Sequence, residues 1–150
     1  MRCGAASRRS ATPEILRAEG LTENPNVPPA RRRSTVLVVE DDPALRAYYR
    51  SVLTLEGYAV VTAEDGIDAL ARVEEQQVCA VVLDLGLPRL PGEDVSRELA
   101  SHAQLRAIPI IVVTGQDPGK LDADRFACVL RKPVTAEALV KALQNCLREA

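Results

Sequence analysis

Ala80-Val81-Val82-Leu83-Asp84-Leu85-Gly86-Leu87-Pro88 is the stretch that decides the fold. Four aliphatic residues lead into a single carboxylate, and a glycine and a proline turn the chain straight afterwards. An apolar run of this length reads as a strand covered on both faces, as parallel strands are. Gly86 and Pro88 end it. Asp84 therefore stands at the carboxyl end of a central strand, where open α/β sheets place their ligands. A solitary acid there could merely cap the next helix. A second acidic group upstream weighs against that, because Thr35-Val36-Leu37-Val38-Val39 runs directly into Glu40-Asp41-Asp42.

Outward from these two runs the chain alternates strand and helix. The pattern predicts strands over Val36–Glu40, Tyr58–Ala63, Cys79–Leu83, Ile108–Val113 and Ala127–Leu130. Asp42-Pro43 opens a first helix, with Leu45, Tyr48, Val52 and Leu55 on its inward face and Gly57 as a left-handed cap. Tyr49 then falls nearer the rim, where simple packing and docking of a helical partner are both open readings. Asp65 starts a second helix with Ile67, Leu70 and Ala71 turned inward. Glu93–Ser101 forms a third on Val95 and Leu99, and a short, weak helix is expected over roughly Gly119–Asp124. Thr135 caps a last helix whose Leu139, Leu143, Cys146 and Leu147 share one face. Five strands alternating with five helices make an α/β fold, a doubly wound parallel sheet in one domain over 35–150.

The 150 residues suffice for an independent core, and 47% hydrophobic with 27% charged residues is ordinary for a globular chain. No apolar stretch approaches the roughly 18 to 20 residues that cross a bilayer. Arg8-Arg9 is followed by no hydrophobic segment, so neither a secretion signal nor a twin-arginine signal is read. Cys3, Cys79, Cys128 and Cys146 show no Cys-x-x-Cys spacing and read as reduced structural thiols, which fits a cytoplasmic protein. Charge divides unevenly. Residues 1–34 hold seven arginines against Glu14, Glu19 and Glu23, giving +4, which leaves −6 on the remainder of a chain whose net charge is −2. With Pro25, Pro28 and Pro29 interrupting it, 1–34 reads as a flexible basic extension. It lacks aromatic residues and helical basic periodicity, so a solvated tail is preferred over a nucleic-acid or membrane-surface arm.

Collected at the strand ends are Asp41 and Asp42 from the first strand, Asp84 from the third, Thr114 from the fourth and Lys132 after the fifth. All those ends share one edge of a parallel sheet. Packed carboxylates repel one another, and a cation and a lysine would relieve that. All-oxygen ligation with an incomplete protein shell suits Mg²⁺. A carboxylate beside such an ion can act as a nucleophile and become an acyl phosphate. Transfer then mostly needs charge neutralisation and alignment, which Lys132, the Thr114 hydroxyl and the metal could supply. Each member alone has a bland reading as cap, turn hydroxyl or surface cation; their arrival together on successive strands favours a phosphoacceptor.

Residues 35–148 resemble a response regulator receiver domain of two-component signalling, of the CheY-like, single-domain chemotaxis type. The motifs that carry the resemblance are Val38-Val39-Glu40-Asp41-Asp42-Pro43, Val82-Leu83-Asp84-Leu85-Gly86-Leu87-Pro88, Val112-Val113-Thr114-Gly115 and Leu130-Arg131-Lys132-Pro133. The resemblance implies a flavodoxin-like (βα)5 sheet in strand order 2-1-3-4-5. It implies that Asp84 accepts a phosphoryl group from a histidine kinase or a histidine phosphotransfer protein. It implies Mg²⁺ held by Asp41, Asp42, Asp84 and the Gly86 backbone carbonyl, phosphoryl contacts from Thr114 and Lys132, and a cis bond before Pro133. Signalling would then pass through phosphorylation-dependent binding of a downstream protein. No direct DNA-binding domain and no membrane span are expected, and the only reaction expected is the protein's own phosphorylation and dephosphorylation.

Two departures from the family pattern are visible. Val129 stands where members usually carry an aromatic residue three positions before the lysine, and the segment from Thr114 to Lys132 is several residues short. Both touch the surface commonly used for output, so the conformational signal is expected to be muted or delivered elsewhere. Gly86 offers no side chain to orient an attacking water, while Gln116 could do so from the opposite loop; a long-lived phosphoryl group is expected. His102 reads as a surface residue. The rival readings are a metal-dependent phosphatase with an aspartyl nucleophile, a receiver-like module no longer phosphorylated, and the carboxy-terminal receiver of a hybrid kinase. The phosphatase would need a second acid two residues after its nucleophile, and Gly86 stands there. The absence of an output domain after Ala150 and the presence of Met1 favour a free-standing receiver.

Overall fold

The computed structural model describes residues 34–102, 105–115 and 126–149. In chain order they form β1 (Thr35–Val39), α1 (Pro43–Leu55), β2 (Ala59–Ala63), α2 (Gly66–Glu75), β3 (Ala80–Leu83), α3 (Gly92–Ser101), β4 (Ile110–Thr114), β5 (Cys128–Arg131) and α4 (Ala136–Glu149). The strands make one parallel sheet in the order β2-β1-β3-β4-β5. Fold class and strand order are those the sequence pattern and the resemblance imply. The expected weak helix at Gly119–Asp124 lies outside the described residues, as do 1–33.

Continuous aliphatic strands are explained by two cores. Successive side chains alternate across a strand. Leu37 and Val39, Val81 and Leu83, and Val112 face α2 and α3 with Val73, Val95 and Leu99. Val36 and Val38, Ala80 and Val82, and Ile111 and Val113 face α1 and α4 with Tyr49, Leu53, Leu139 and Leu143. Burial on both sides leaves β3 wholly aliphatic and β4 aliphatic up to its last residue, Thr114, and all residues of both strands are buried.

Helix ends follow local chemistry. Asp42 caps α1, and Pro43 occupies its first turn, where a missing N–H costs nothing. Gly57, at φ 95°, turns the chain out of α1 toward β2. Thr135 Oγ1 accepts from the Ala138 N–H at 3.1 Å to start α4.

Two helix faces differ from the sequence expectation. In α1, Tyr49 and Leu53 are buried, whereas Tyr48 is 43% and Leu55 75% exposed. Both candidate stripes contain Leu45 and Val52, which do pack on the core. Helical spacing puts Tyr48 and Leu55 on one flank of that line and Tyr49 and Leu53 on the other, and the sheet takes the second flank. Tyr48, not Tyr49, is the rim residue. In α2, Ala69 and Val73 are buried while Ile67 is 52% exposed and Ala71 also faces outward; Leu70 is half-buried against the core. Ala69 is fully buried in the core cluster between this helix and the sheet. Among the described cysteines, Cys79 and Cys146 are buried, Cys128 is half-buried, and no disulfide joins them; Cys3 lies outside the described residues. No helix among the described residues is long and apolar enough to cross a membrane.

Candidate functional site

Backbone ladders bring the chemistry-bearing residues together before any side chain is considered. The residue after β1, Glu40, donates its N–H to the Ala63 carbonyl at 3.1 Å. Asp84, the residue after β3, donates to the Val39 carbonyl at 3.0 Å. Lys132, after β5, donates to the Thr114 carbonyl at the end of β4 at 2.8 Å. Parallel neighbours lie about 4.8 Å apart, so these strand ends form one row across the sheet edge.

Side chains close the row. Lys132 Nζ donates to Glu40 Oε1 at 2.6 Å and lies 3.5 Å from Asp84 Oδ2. Asp84 Oδ1 accepts from the Gly86 N–H at 3.1 Å, which fixes the carboxylate over the turn. Carboxylate oxygens of Glu40, Asp41 and Asp84 lie within 4.8 Å of one another. Arg46 of α1 folds back so that Nη1 donates to the Glu40 carbonyl at 2.8 Å and the Asp41 carbonyl at 3.4 Å, holding the acidic turn from behind. Glu40, Asp84 and Thr114 are buried, while Asp41 is exposed.

Asp42 differs from its expected place. Its Oδ1 accepts from the Ala44 N–H at 2.9 Å and the Leu45 N–H at 3.4 Å, so the carboxylate serves the amino terminus of α1 and stands outside the three-acid cluster. Glu40 takes that position, and sequence reasoning missed it. A signal was present: an acid directly before a helix-opening proline is a cap, and one carboxylate cannot both cap and join the cluster.

Three carboxylates against one ammonium leave this corner short of positive charge. Burial above all pushes the Glu40 carboxyl up to about 7; the Lys132 hydrogen bond opposes this, and the Asp84 and Asp41 carboxyls add to it. Burial works to lower the Lys132 pKa, yet its hydrogen bond to Glu40 and the nearby Asp84 raise it above the ordinary lysine value. Burial also raises the Tyr49 hydroxyl, with Lys132 opposing and Glu40 and Asp84 reinforcing, which places Tyr49 in the field of the site. A hard divalent cation with oxygen ligands fits this donor set and charge excess. Glu40, Asp41 and Asp84 are the side chains able to hold it.

Of the remaining expected residues, Gly86 is exposed, and a Cβ there would meet nothing nearer than Asp84 Oδ1 at 3.8 Å. Lys132–Pro133 is a cis peptide. Val129 is half-buried and packs on the same core as the buried Phe126. His102 follows α3 and lies 3.7 Å from Glu98 at the surface. Gln116 lies outside the described residues.

Comparison with known proteins gives a consistent answer. Residues 36–144 match the family described as response regulator receiver domain. The chain is similar to the response regulator MprA of Mycobacterium sp. (strain KMS), 38% identical over 120 residues that make up 75% of this chain and 50% of the relative. It thus spans about half the length of the curated relatives it matches. Among solved structures it is similar to the chemotaxis response regulator CheY4 of Vibrio cholerae, with 30% identity and a TM-score of 0.72 over 76% of this chain and 98% of that one. A receiver domain protein from Clostridium thermocellum superposes with a TM-score of 0.70 at 25% identity, covering 77% of this chain and 95% of that one.

Proposed function

This chain belongs to the response regulator receiver family of two-component signalling, and from that premise we propose that Asp84 is its phosphoacceptor. The donor is a phosphohistidine of a histidine kinase or histidine phosphotransfer protein. An Asp84 carboxylate oxygen forms the new P–O bond, the P–N bond to the donor imidazole breaks, and the imidazole leaves with its electron pair to be protonated. Charge gathers on the three phosphoryl oxygens as they pass, and stabilising it is most of the catalytic task.

The convergence of Asp84, Glu40, Asp41 and Lys132 on one strand edge carries this reading. Asp41, Asp84 and Glu40, with the Gly86 carbonyl, would hold Mg²⁺; when bound, that ion supplies charge neutralisation and orientation for phosphoryl oxygens. Lys132 keeps its ammonium fixed between Glu40 and Asp84, ready to turn toward a phosphoryl oxygen without being recruited from solvent. Thr114 stands at the end of β4, beside Lys132, as the second phosphoryl contact. Asp42 is the α1 cap in this account, not a ligand.

The protein acts in the cytoplasm as a switch that binds a downstream protein according to phosphorylation, and it turns over no external metabolite. The open space at Gly86 gives hydrolytic water no orienting side chain from that loop, so the phosphoryl group is long-lived. The test is intact mass after incubation with a small-molecule phosphodonor, with Mg²⁺ or with chelator, on wild type and Asp84→Asn. One phosphoryl increment that needs Mg²⁺ and vanishes in the variant is expected. An increment that survives in Asp84→Asn contradicts the assignment.

A further inference from the structure

The loop between β3 and α3 carries a second, unassigned device. Among the described residues Arg89 is the only non-glycine with positive φ, at 63°. That backbone conformation is disfavoured for any residue with a Cβ, and asparagine or glycine is the usual occupant. Such outliers persist where surrounding contacts over-determine them. Here the contact is specific: the Arg89 guanidinium pairs with Asp65 Oδ2, in the turn between β2 and α2. The Asp65 carboxylate is buried, and its other oxygen caps α2 by accepting from the Asp68 N–H at 2.8 Å.

The two loops are fitted to each other around this pair. A Cβ on Gly66 would stand 2.7 Å from Leu90 Cβ and 2.8 Å from Val95 Cγ2, so only glycine lets the turn after β2 approach the β3–α3 loop. A Cβ on Gly92 would stand 2.5 Å from the Asp84 carbonyl, so the start of α3 is pressed against the phosphoacceptor's own backbone. Leu85 and Leu87 go down into the core while Gly86 stays exposed between them. The Arg89 side chain is 57% exposed, so its ion pair adds little stability, and its consequence is geometric.

We infer that Arg89 is a positioning residue: latched to Asp65, it fixes the 84–92 loop so that the Gly86 carbonyl and the Asp84 carboxylate meet the cation in one arrangement. This rests on the reading of Asp84 and Gly86 given under the proposed function. Arg89 touches no reacting atom. It acts through backbone, as residues behind metal ligands commonly do.

Mg²⁺ alone, titrated calorimetrically into the full chain, tests this, with thermal melting in chelator alongside. The variants are Asp65→Asn, which keeps a cap on α2 and removes the ion pair, Arg89→Gly, which adopts φ 63° freely, Arg89→Lys, and the Asp65→Asn/Arg89→Gly double variant. Each of the first two weakens Mg²⁺ affinity about tenfold with little fall in melting temperature, and the double variant is no weaker than either. Arg89→Lys recovers part of the loss. Affinities equal to wild type, or losses that add in the double variant, overturn the latch alone. Wild type that takes up neither Mg²⁺ nor a phosphoryl group overturns the functional reading, and the latch with it.

Discussion

Glu40 is where residue-scale electrostatics decide most. Its carboxyl, buried and crowded by Asp84 and Asp41, sits at about 7 in the folded protein against an ordinary 4.5. Between those values the metal-free folded chain binds more protons at this position than the unfolded chain does. Stability contributed here therefore falls as pH rises through that window. Lys132 has the same sense at higher pH: its raised pKa contributes stability that is full below the ordinary lysine value and is lost as pH climbs through the folded one. Asp65, held low chiefly by the Asp68 N–H and also by Arg89, contributes stability that is lost only in acid. Urea midpoints in chelator from pH 5 to 8 should decline with pH in wild type and flatten in Glu40→Gln. An unchanged slope in the variant would assign the effect to another group. Asp84 was legible because it stands alone after an apolar run, and Lys132 because it follows the fifth strand directly before a proline. Among three consecutive acids the choice was not legible by type, since Glu40 and Asp42 compete and the capping demand of α1 settles it.

At the scale of elements, α1 shows why a helix face can be misread when its apolar line is broad. Leu45 and Val52 fit either flank, and only the sheet beneath chooses Tyr49 and Leu53 over Tyr48 and Leu55. Leu53→Ala should cost about 2–5 kcal/mol through the cavity it leaves. Leu55→Ala, at a 75% exposed position, should stay within about 0.5 kcal/mol. Chemical denaturation of both variants checks this, and equal losses would restore the other face. Strand identity was easier, because doubly buried strands read as unbroken aliphatic runs. β5 and the region before it carry a different expectation. Val129 is half-buried against the same core as Phe126, and being valine it gives no aromatic ring three residues before Lys132 to swing inward. Adding beryllofluoride with Mg²⁺ should therefore move amide resonances near Asp84 and Lys132 far more than those around Phe126–Leu130. Shifts through Phe126–Leu130 as large as those at Asp84 and Lys132 would show that the signal travels there without an aromatic relay.

For the whole molecule, the site is a consequence of topology. β1 and β3 are neighbours in the sheet although β2 lies between them in sequence, so their ends meet at the point where the winding reverses. Acids distant in the chain are thereby placed side by side, and the lysine after β5 completes the row from the other side. The sequence order of strands and helices made this architecture readable, and the motifs at strand ends named its chemistry. What could not be read was the inter-loop fit of Gly66, Arg89 and Gly92, which depends on how close two turns approach. The central claim is that carboxylates from β1 and β3 share one divalent cation. Its most direct test is a crystal grown with Mn²⁺ and read by anomalous scattering. The account predicts one peak at metal–oxygen distance, about 2.1–2.2 Å for such small divalent ions, from both Asp41 and Asp84. A peak bound by Asp42 without Asp84, or none on this edge of the sheet, would contradict it.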